Sequence, residues 1–406
     1  MATKKITSAA LAEKLHTIMG TLDDVLFERT FAARMMVLTM MARENIWMLG
    51  LPGTAKSLLA RLLAKMILGR YFYALTSELL DPELVLGPIS PRRLMEDDVY
   101  EHSVEGFLPA AHIALLDELG KASDALHTAL LPIVNPAERF FPNGETTVKC
   151  PIQLLISASN EMPKMEAFRD RFVVAVNVLP IQHEENFRSY LRAKVRVRSN
   201  ANEEEKAASL KARIDAVEPV MTVRELQIAR ARMSLGKLSE DFEDVLVEIW
   251  REVARIGIYV SDRQYGAMVT LAQAAAFLDG DRTVKAHHAK DLWTCLWGNI
   301  EEIGTVRQIV ATATRTGAAS FHARATEIVE GVYATWRRAV VCAISPNAIE
   351  SLPKAQIALR DLEEAASMAI ERGVHESDWS QEFTSALHQT REFVDSQFDI
   401  GENEAD

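Results

Sequence analysis

The segment Gly50-Leu51-Pro52-Gly53-Thr54-Ala55-Lys56-Ser57 brings two glycines, a lysine and a serine hydroxyl together within one short stretch. That set suits the phosphates of a nucleotide. Phosphates need many N–H donors and a counter-charge at close range, and a glycine-bearing loop at a helix N-terminus supplies backbone amides and the positive end of the helix dipole. On this reading Gly50 and Gly53 let the backbone approach the anions, Lys56 binds the β- and γ-phosphates, and Ser57 places its hydroxyl on Mg²⁺. Pro52, Thr54, Ala55 and Leu58 complete the candidate nucleotide-binding residues, Ala55 standing where the generic pattern has glycine. A second signal is Ile113-Ala-Leu-Leu-Asp117-Glu118, an apolar run ending in two acids. Asp117 is expected to hold Mg²⁺ through its water shell, and Glu118 is the candidate base that activates water. Taken alone, such a run is more often a strand that ends in solvent; downstream of a phosphate loop the metal-and-base reading is preferred.

These residues need elements to hold them. Asn45 to Leu49 (NIWML) reads as a buried strand, and Leu58 to Leu68 (LLARLLAKMIL) is too long and leucine-rich to be anything but a helix. The phosphate loop therefore joins a strand to a helix. Two helices precede it, with apolar positions Leu11, Leu15, Ile18, Leu22, Val25 and Leu26 in the first and Phe31 to Met41 in the second. Further apolar runs at Tyr71 to Leu75, Ile113 to Leu116, Ile152 to Ser157 and Phe172 to Val178 alternate with helical stretches, the signature of an α/β fold with a mostly parallel sheet. Asp81 to Ala111 breaks this rhythm with proline, glycine and charge, too long for a plain connector, and reads as an insertion. Glu138 to Pro151 reads as a β-hairpin turning at Asn143-Gly144, with an exposed tip.

From Arg192 the chain turns charged and helical, and no further strand is expected. Ser261 with Gln264 three residues on marks a capping box at a helix start. Helical spacing continues through Ile328, Val332 and Trp336 and again from Ile357 to Met368, before an acidic tail. The expected organisation is an α/β nucleotide-binding domain over 1–190, a helical lid over 191–300 and a helical C-terminal extension over 301–406.

Composition narrows the classes. The 406 residues carry 45 Lys plus Arg against 57 Asp plus Glu, a net charge of −12, the wrong sign for gripping a phosphate backbone over a broad face. No stretch approaches 18 uninterrupted apolar residues and the N-terminus has no apolar signal core, so the chain is expected to be cytoplasmic and not to insert in a membrane. Cys150, Cys295 and Cys342 are odd in number and far apart, which argues for reduced thiols rather than a disulfide framework or a cysteine zinc site.

Taken in order, the motifs resemble the MoxR branch of AAA+ ATPases, and within it the RavA-like group. GLPGTAKS matches that family's phosphate loop, alanine at 55 included; ALLDELGKASDALHTALLPIVNPAERFFPNG resembles its Walker B strand with the following helix and hairpin. LLISASNEMP is similar to its sensor 1 strand, FRDRF to its arginine-finger turn, and YVSDRQYGAMVTLAQAAAFLDGDRTV to its sensor 2 helix. The likeness covers roughly residues 10–300. It implies that Asn160 is sensor 1, orienting the lytic water or touching the γ-phosphate, and that Arg263 is sensor 2. It makes Arg171 the finger that enters a neighbouring subunit's site, with Arg169 as the rival for that role. It also implies a helix-2 insert at about 85–108 and a pre-sensor hairpin at about 138–151, both facing a pore or partner.

The family likeness further implies an ATP- and Mg²⁺-dependent oligomeric ring, a hexamer in expectation, that remodels a protein client together with a von Willebrand factor A domain partner. Two rivals are a slow nucleotide-gated assembly module and a nucleic-acid motor with Arg92-Arg93 lining a pore; the net charge makes nucleic acid an unlikely partner. Arg139 suits either the pore side or a salt bridge with a nearby acid. His287-His288 reads as a solvent-facing pair without a third metal ligand, Met35, Met36, Met40 and Met41 as helix core, and Trp293 with Trp297 as lid packing with bonded indole N–H groups.

Overall fold

The computed structural model describes residues 6–160, 166–194 and 210–314, together with 387, 388 and 391. The apolar periodicity from Ile328 to Met368, Cys342 and the acidic tail lie outside the described residues. Chain contacts separate a unit Met1–Val306 from a unit Arg307–Asp406, and the sheet and the phosphate loop belong to the first.

Five parallel strands form one sheet: β1 (Asn45–Leu49), β2 (Tyr71–Leu75), β3 (Ile113–Asp117), β6 (Leu154–Ser159) and β7 (Val174–Asn177), in the order β2-β3-β6-β1-β7. Every residue of β1 and β6 is buried, which explains why these strands read as unbroken apolar runs rather than alternating ones. Helix α1 (Ser8–Val25) lays Leu11, Leu15, Ile18 and Leu22 inward, and α2 (Thr30–Ala42) buries Met35, Met36, Met40 and Met41, so the methionines are core as expected. Helix α3 (Lys56–Met66) follows the phosphate loop and turns Leu59, Leu62, Leu63 and Met66 to the sheet.

The insertion contains α4 (Glu83–Leu86) and α5 (Pro91–Asp97), the latter started by Ser90, whose hydroxyl accepts from the Arg93 amide, with proline at its first position. Arg92 pairs with Glu96 at 2.8 Å, and Arg93 with Glu101 at 2.8 Å and with Asp97. Both arginines are thus paired with acids of the same insertion.

After β3, helix α6 (Asp124–Val134) leads to the hairpin β4 (Phe140–Asn143) and β5 (Thr146–Lys149), paired antiparallel with Asn143 opposite Thr146. The tip residues Gly144 and Glu145 are exposed as expected, but Asn143 beside them is not a free turn residue. Asn143 is buried, its Oδ1 accepting from the His102 amide at 2.6 Å and its Nδ2 donating to the His102 carbonyl at 3.1 Å. Gly144 follows at φ 62°, and a Cβ there would lie 2.6 Å from the Tyr100 carbonyl oxygen. The hairpin is docked on the insertion because Asn143 satisfies the His102 amide and carbonyl, while the residues on either side of His102 bond back to Pro88 and Ser90.

Beyond the short helices α7 (Glu166–Arg169), α8 (Glu184–Lys194) and α9 (Leu210–Asp215), the chain is helical in α10 (Val223–Met233), α11 (Glu240–Arg255), α12 (Asp262–Leu278) and α13 (Glu302–Ala313). The capping box of Ser261 and Gln264 starts α12 as its spacing requires. Two two-residue strands, Lys237–Leu238 and Thr283–Val284, pair in parallel here, so this region is not wholly without β structure. Trp293 stacks on Phe31 at 5.4 Å and the Trp297 indole donates to the Ala175 carbonyl at 3.2 Å, fastening these helices to α2 and β7.

Replacing Asn143 by alanine removes both bonds to His102 and leaves its amide without an acceptor, worth about 1–3 kcal/mol locally. Hydrogen exchange at the His102 amide is expected to quicken by about tenfold or more; an unchanged rate would contradict the docking role.

Candidate functional site

The phosphate loop leaves the carboxyl end of β1, the place where open parallel sheets receive ligands. Gly50 is required by close approach: a Cβ there would lie 2.4 Å from the Val178 carbonyl oxygen beyond β7. Ala55 holds φ 68°, a left-handed conformation costing a non-glycine residue roughly 1–2 kcal/mol. It turns the chain so that Lys56 begins α3. The Lys56 ammonium is buried and donates to the carbonyls of Gly50 at 2.7 Å and Leu51 at 3.0 Å, which hold it over the loop. Burial lowers its pKa while Asp117 and Glu118 pull it back up.

Ser57 Oγ donates to Asp117 Oδ2 at 3.3 Å. These two hard oxygen donors, side by side at the end of β3, are the set that Mg²⁺ accepts, one directly and one through water. Glu118 is placed by its amide, which donates to the Ala158 carbonyl at 2.7 Å, and its carboxylate lies 3.0 Å from Lys121 Nζ. Its φ of 57° swings the side chain out of strand geometry at the sheet edge. Asn160 follows β6, which lies between β3 and β1, and is exposed at the same carboxyl edge. The structure thus gathers Lys56, Ser57, Asp117, Glu118 and Asn160 at one end of the sheet.

Three neighbours carried no signal in the sequence. Arg29, buried at the start of α2, donates from Nε to the Thr54 carbonyl at 3.1 Å and braces the loop from behind. Glu28 receives the amides of Gln182 and His183 at 2.6 and 2.7 Å and so caps α8; burial raises its carboxyl, but these bonds win and hold it below its usual value. Tyr73 on β2 stands near the Asp117 carboxylate, and burial together with that charge raises its phenol. Such contacts join residues distant in sequence, and no local pattern announces them.

Arg171 and Arg263 lie elsewhere. The Arg171 carbonyl accepts from Asn45 Nδ2 at 2.7 Å, and Asn45 is the first residue of β1. A strand of that length separates Arg171 from the phosphate loop by roughly 16 Å. Arg263, in the first turn of α12, forms an ion pair with Asp170, whose other oxygen accepts from Ser261 Oγ. Arg171 Nη1 donates to Ala167 O at 2.8 Å while its Nε is buried without a partner. Burial and the adjacent Arg263 both lower its pKa, Asp170 opposing them. Arg169 lies against Gly298, where a Cβ would fall 1.7 Å from its Nη2. The chain therefore keeps these arginines away from its own phosphate loop and beside one another.

Asn45 ties this edge together, donating also to the Val134 carbonyl at 2.7 Å and accepting from Arg139 Nη2 at 2.9 Å. Arg139 is wholly buried and bonds backbone carbonyls of Arg43 and Glu44, so of its two expected settings neither the pore side nor a simple surface salt bridge applies.

His288 corrects the solvent-facing reading of the histidine pair. It is buried, and Asp279, His287 and His288 offer ligand atoms within 4.8 Å of one another. Chemistry still argues against a metal. His288 Nδ1 accepts the Lys285 amide at 2.8 Å, so in the neutral ring Nε2 carries the proton and has no lone pair to give.

The parallel sheet, the phosphate loop at its carboxyl edge and the helices packed behind define an α/β core of phosphate-loop type with a helical lid. A family model described as the MoxR domain in the MoxR-vWA-beta-propeller ternary systems matches residues 13–218, and an AAA lid domain model matches 241–310. The chain belongs to the MoxR family of AAA+ ATPases. It is similar to two uncharacterised proteins of Methanocaldococcus jannaschii, 29% identical over 75% of each chain and 30% identical over 71% of this chain and 72% of the other. It is 26% identical to the chaperone MoxR1 of Mycobacterium tuberculosis over 41% of this chain and 46% of that one. A crystal structure of a Cytophaga hutchinsonii protein described as a candidate ATPase shares the fold, with TM-score 0.59 and 20% identity over 76% of this chain and 95% of that chain. No described helix is long and apolar enough to cross a membrane.

Glu44, beside Arg139 and Arg263, gives a pH test of this edge. Burial pushes its carboxyl up to about 7, the two arginines opposing. The native chain then holds a proton that the unfolded chain releases near the ordinary carboxyl value, so this group makes stability fall as pH rises from about 4.5 to about 7. Glu44→Gln is expected to flatten the decline in melting temperature between about pH 5 and about pH 8; equal slopes in both proteins would remove Glu44 as its source.

Proposed function

We propose that the protein hydrolyses ATP with Mg²⁺ in a ring of identical subunits, with each catalytic site shared between two of them. The observation that carries this reading is the separation within one chain: Lys56, Ser57, Asp117 and Glu118 stand at one end of the sheet, while Arg171 and Arg263 stand at the other. Two clustered guanidiniums with one intervening carboxylate leave a surplus of positive charge, suited to the γ-phosphate held by a neighbour.

In the proposed cycle the loop amides and Lys56 cradle the phosphates, while Ser57 and Asp117 hold Mg²⁺, which neutralises charge on the phosphate oxygens. Glu118 takes a proton from the attacking water, and Asn160 orients that water with its amide. Arg171 of the adjacent subunit offsets the charge that develops on the transferring phosphoryl group. Arg169, engaged on Gly298 within its own chain, is the less suited finger. In this scheme 1–190 is the motor core and 191–300 is the lid that carries Arg263 to the subunit junction.

The work done is remodelling of a protein client in the cytoplasm. The family's description names MoxR-vWA-beta-propeller systems, and we extend that to a von Willebrand factor A domain partner for this chain. A hexamer is the expected ring. A slow assembly switch is the second reading, but a switch needs neither the placed base Glu118 nor a finger.

Two measurements test the proposal. Hydrolysis per subunit is expected to rise with protein concentration and to fall by about 10³-fold or more in Arg171→Ala. A rate independent of both concentration and Arg171 would count against a shared site. Glu118→Gln is expected to keep ATP affinity within a few-fold while losing about 10²-fold or more in turnover; unimpaired turnover would exclude Glu118 as the base.

A further inference from the structure

At the amino end of the sheet, away from the phosphate loop, a pocket of about 320 Å³ is lined by Arg43, Lys149, Cys150, Gln153, Gln227 and Arg230. It joins the turn before β1, the root of the hairpin, the approach to β6 and helix α10. Its lining contains three cations and no carboxylate.

The three cations are poorly compensated. Arg230 donates to the carbonyls of Met40, Met41 and Gln153 and to Gln153 Oε1, all of them neutral acceptors. Among the described residues Arg43 makes no side-chain hydrogen bond or ion pair, and its Nε is buried without a partner. Lys149 is exposed and has no acidic partner among the described residues. Arg139 lies close behind with Nε and Nη1 also buried and unpartnered. Burial, reinforced by the charge of Arg43 and, at Arg230, by that of Arg139, pushes the guanidinium groups of Arg139 and Arg230 down to about 9, with Glu44 opposing at Arg139. The one nearby acid, Glu44, leaves its Oε2 unpartnered and is itself raised toward neutrality. Four cations gathered around a cavity with so little counter-charge are stabilised by an anion entering it.

The size of the cavity is at the small end of ligand sites, enough for a compact anion and too small for a nucleic-acid strand. Mixed guanidinium and ammonium donors converging from separate elements match the several oxygens of a phosphate group. We propose that this pocket is a second anion site, distinct from the phosphate loop, that takes a small phosphate-bearing ligand held by Arg43 and Lys149 against the fixed positive wall of Arg230. A ligand there ties the hairpin root to the helix Val223–Met233.

The test is calorimetric titration of inorganic pyrophosphate, at constant ionic strength, into three proteins: the unmodified chain, Lys56→Ala, and Arg43→Asn/Lys149→Ala. Asparagine is chosen because Arg43 sits at φ 61°, which asparagine tolerates. Cooperative melting of each variant checks that it folds. The proposal expects Lys56→Ala to retain a one-to-one binding event that the double variant weakens by about tenfold or more. It is overturned if Lys56→Ala abolishes all pyrophosphate binding, or if the double variant binds like the unmodified chain. Citrate titrated in parallel separates phosphate from charge alone: equal affinity for citrate would overturn the phosphate assignment.

Discussion

The structure depends on the length of one buried strand. β1 carries the phosphate loop at its carboxyl end and Asn45 at its amino end, and parallel pairing with β6 and β7 fixes both ends in register. A strand buried on both faces cannot slip or bend to bring Arg171 toward Lys56 without breaking two ladders of backbone bonds. The separation of Lys56 from Arg171 is therefore built into the sheet.

Around that strand the buried polar groups do the positioning. Asn45 holds the end of α6, the turn before β7 and the Arg139 guanidinium together. Loss of such a side chain would leave several buried donors and acceptors unpaired at once, which is costly in a low-dielectric interior. At the other end Arg29 and Lys56 use carbonyls of the loop itself, so the loop is held in shape by its own cations. Charge thus organises both edges of the sheet, while apolar burial holds the layers between them.

Much of this was legible in the sequence because it is local. The strand NIWML, the following glycine loop and the Lys-Ser pair lie next to each other in the chain, and the apolar run before Asp117 and Glu118 is the first four residues of β3. The capping box at Ser261 is likewise a short-range pattern. What was not legible depends on long-range contact. Asn143 meets His102 across 41 positions, and so reads from sequence as a free turn. His288 is buried by the fold, although a histidine pair among charged residues reads as solvated. Arg139 lies among Arg43, Glu44 and Asn45 only because the hairpin root returns to the start of β1, which no spacing rule reveals.

The central claim is that a catalytic site spans two chains. Mixing Lys56→Ala protein, which has an intact Arg171 and a disabled loop, with Arg171→Ala protein, which has an intact loop and no finger, tests it most directly. The account predicts that two inactive proteins regain ATP hydrolysis on mixing, because mixed neighbours rebuild complete sites. Activity that stays at the level of the separate variants, in mixtures shown to co-assemble, would contradict it.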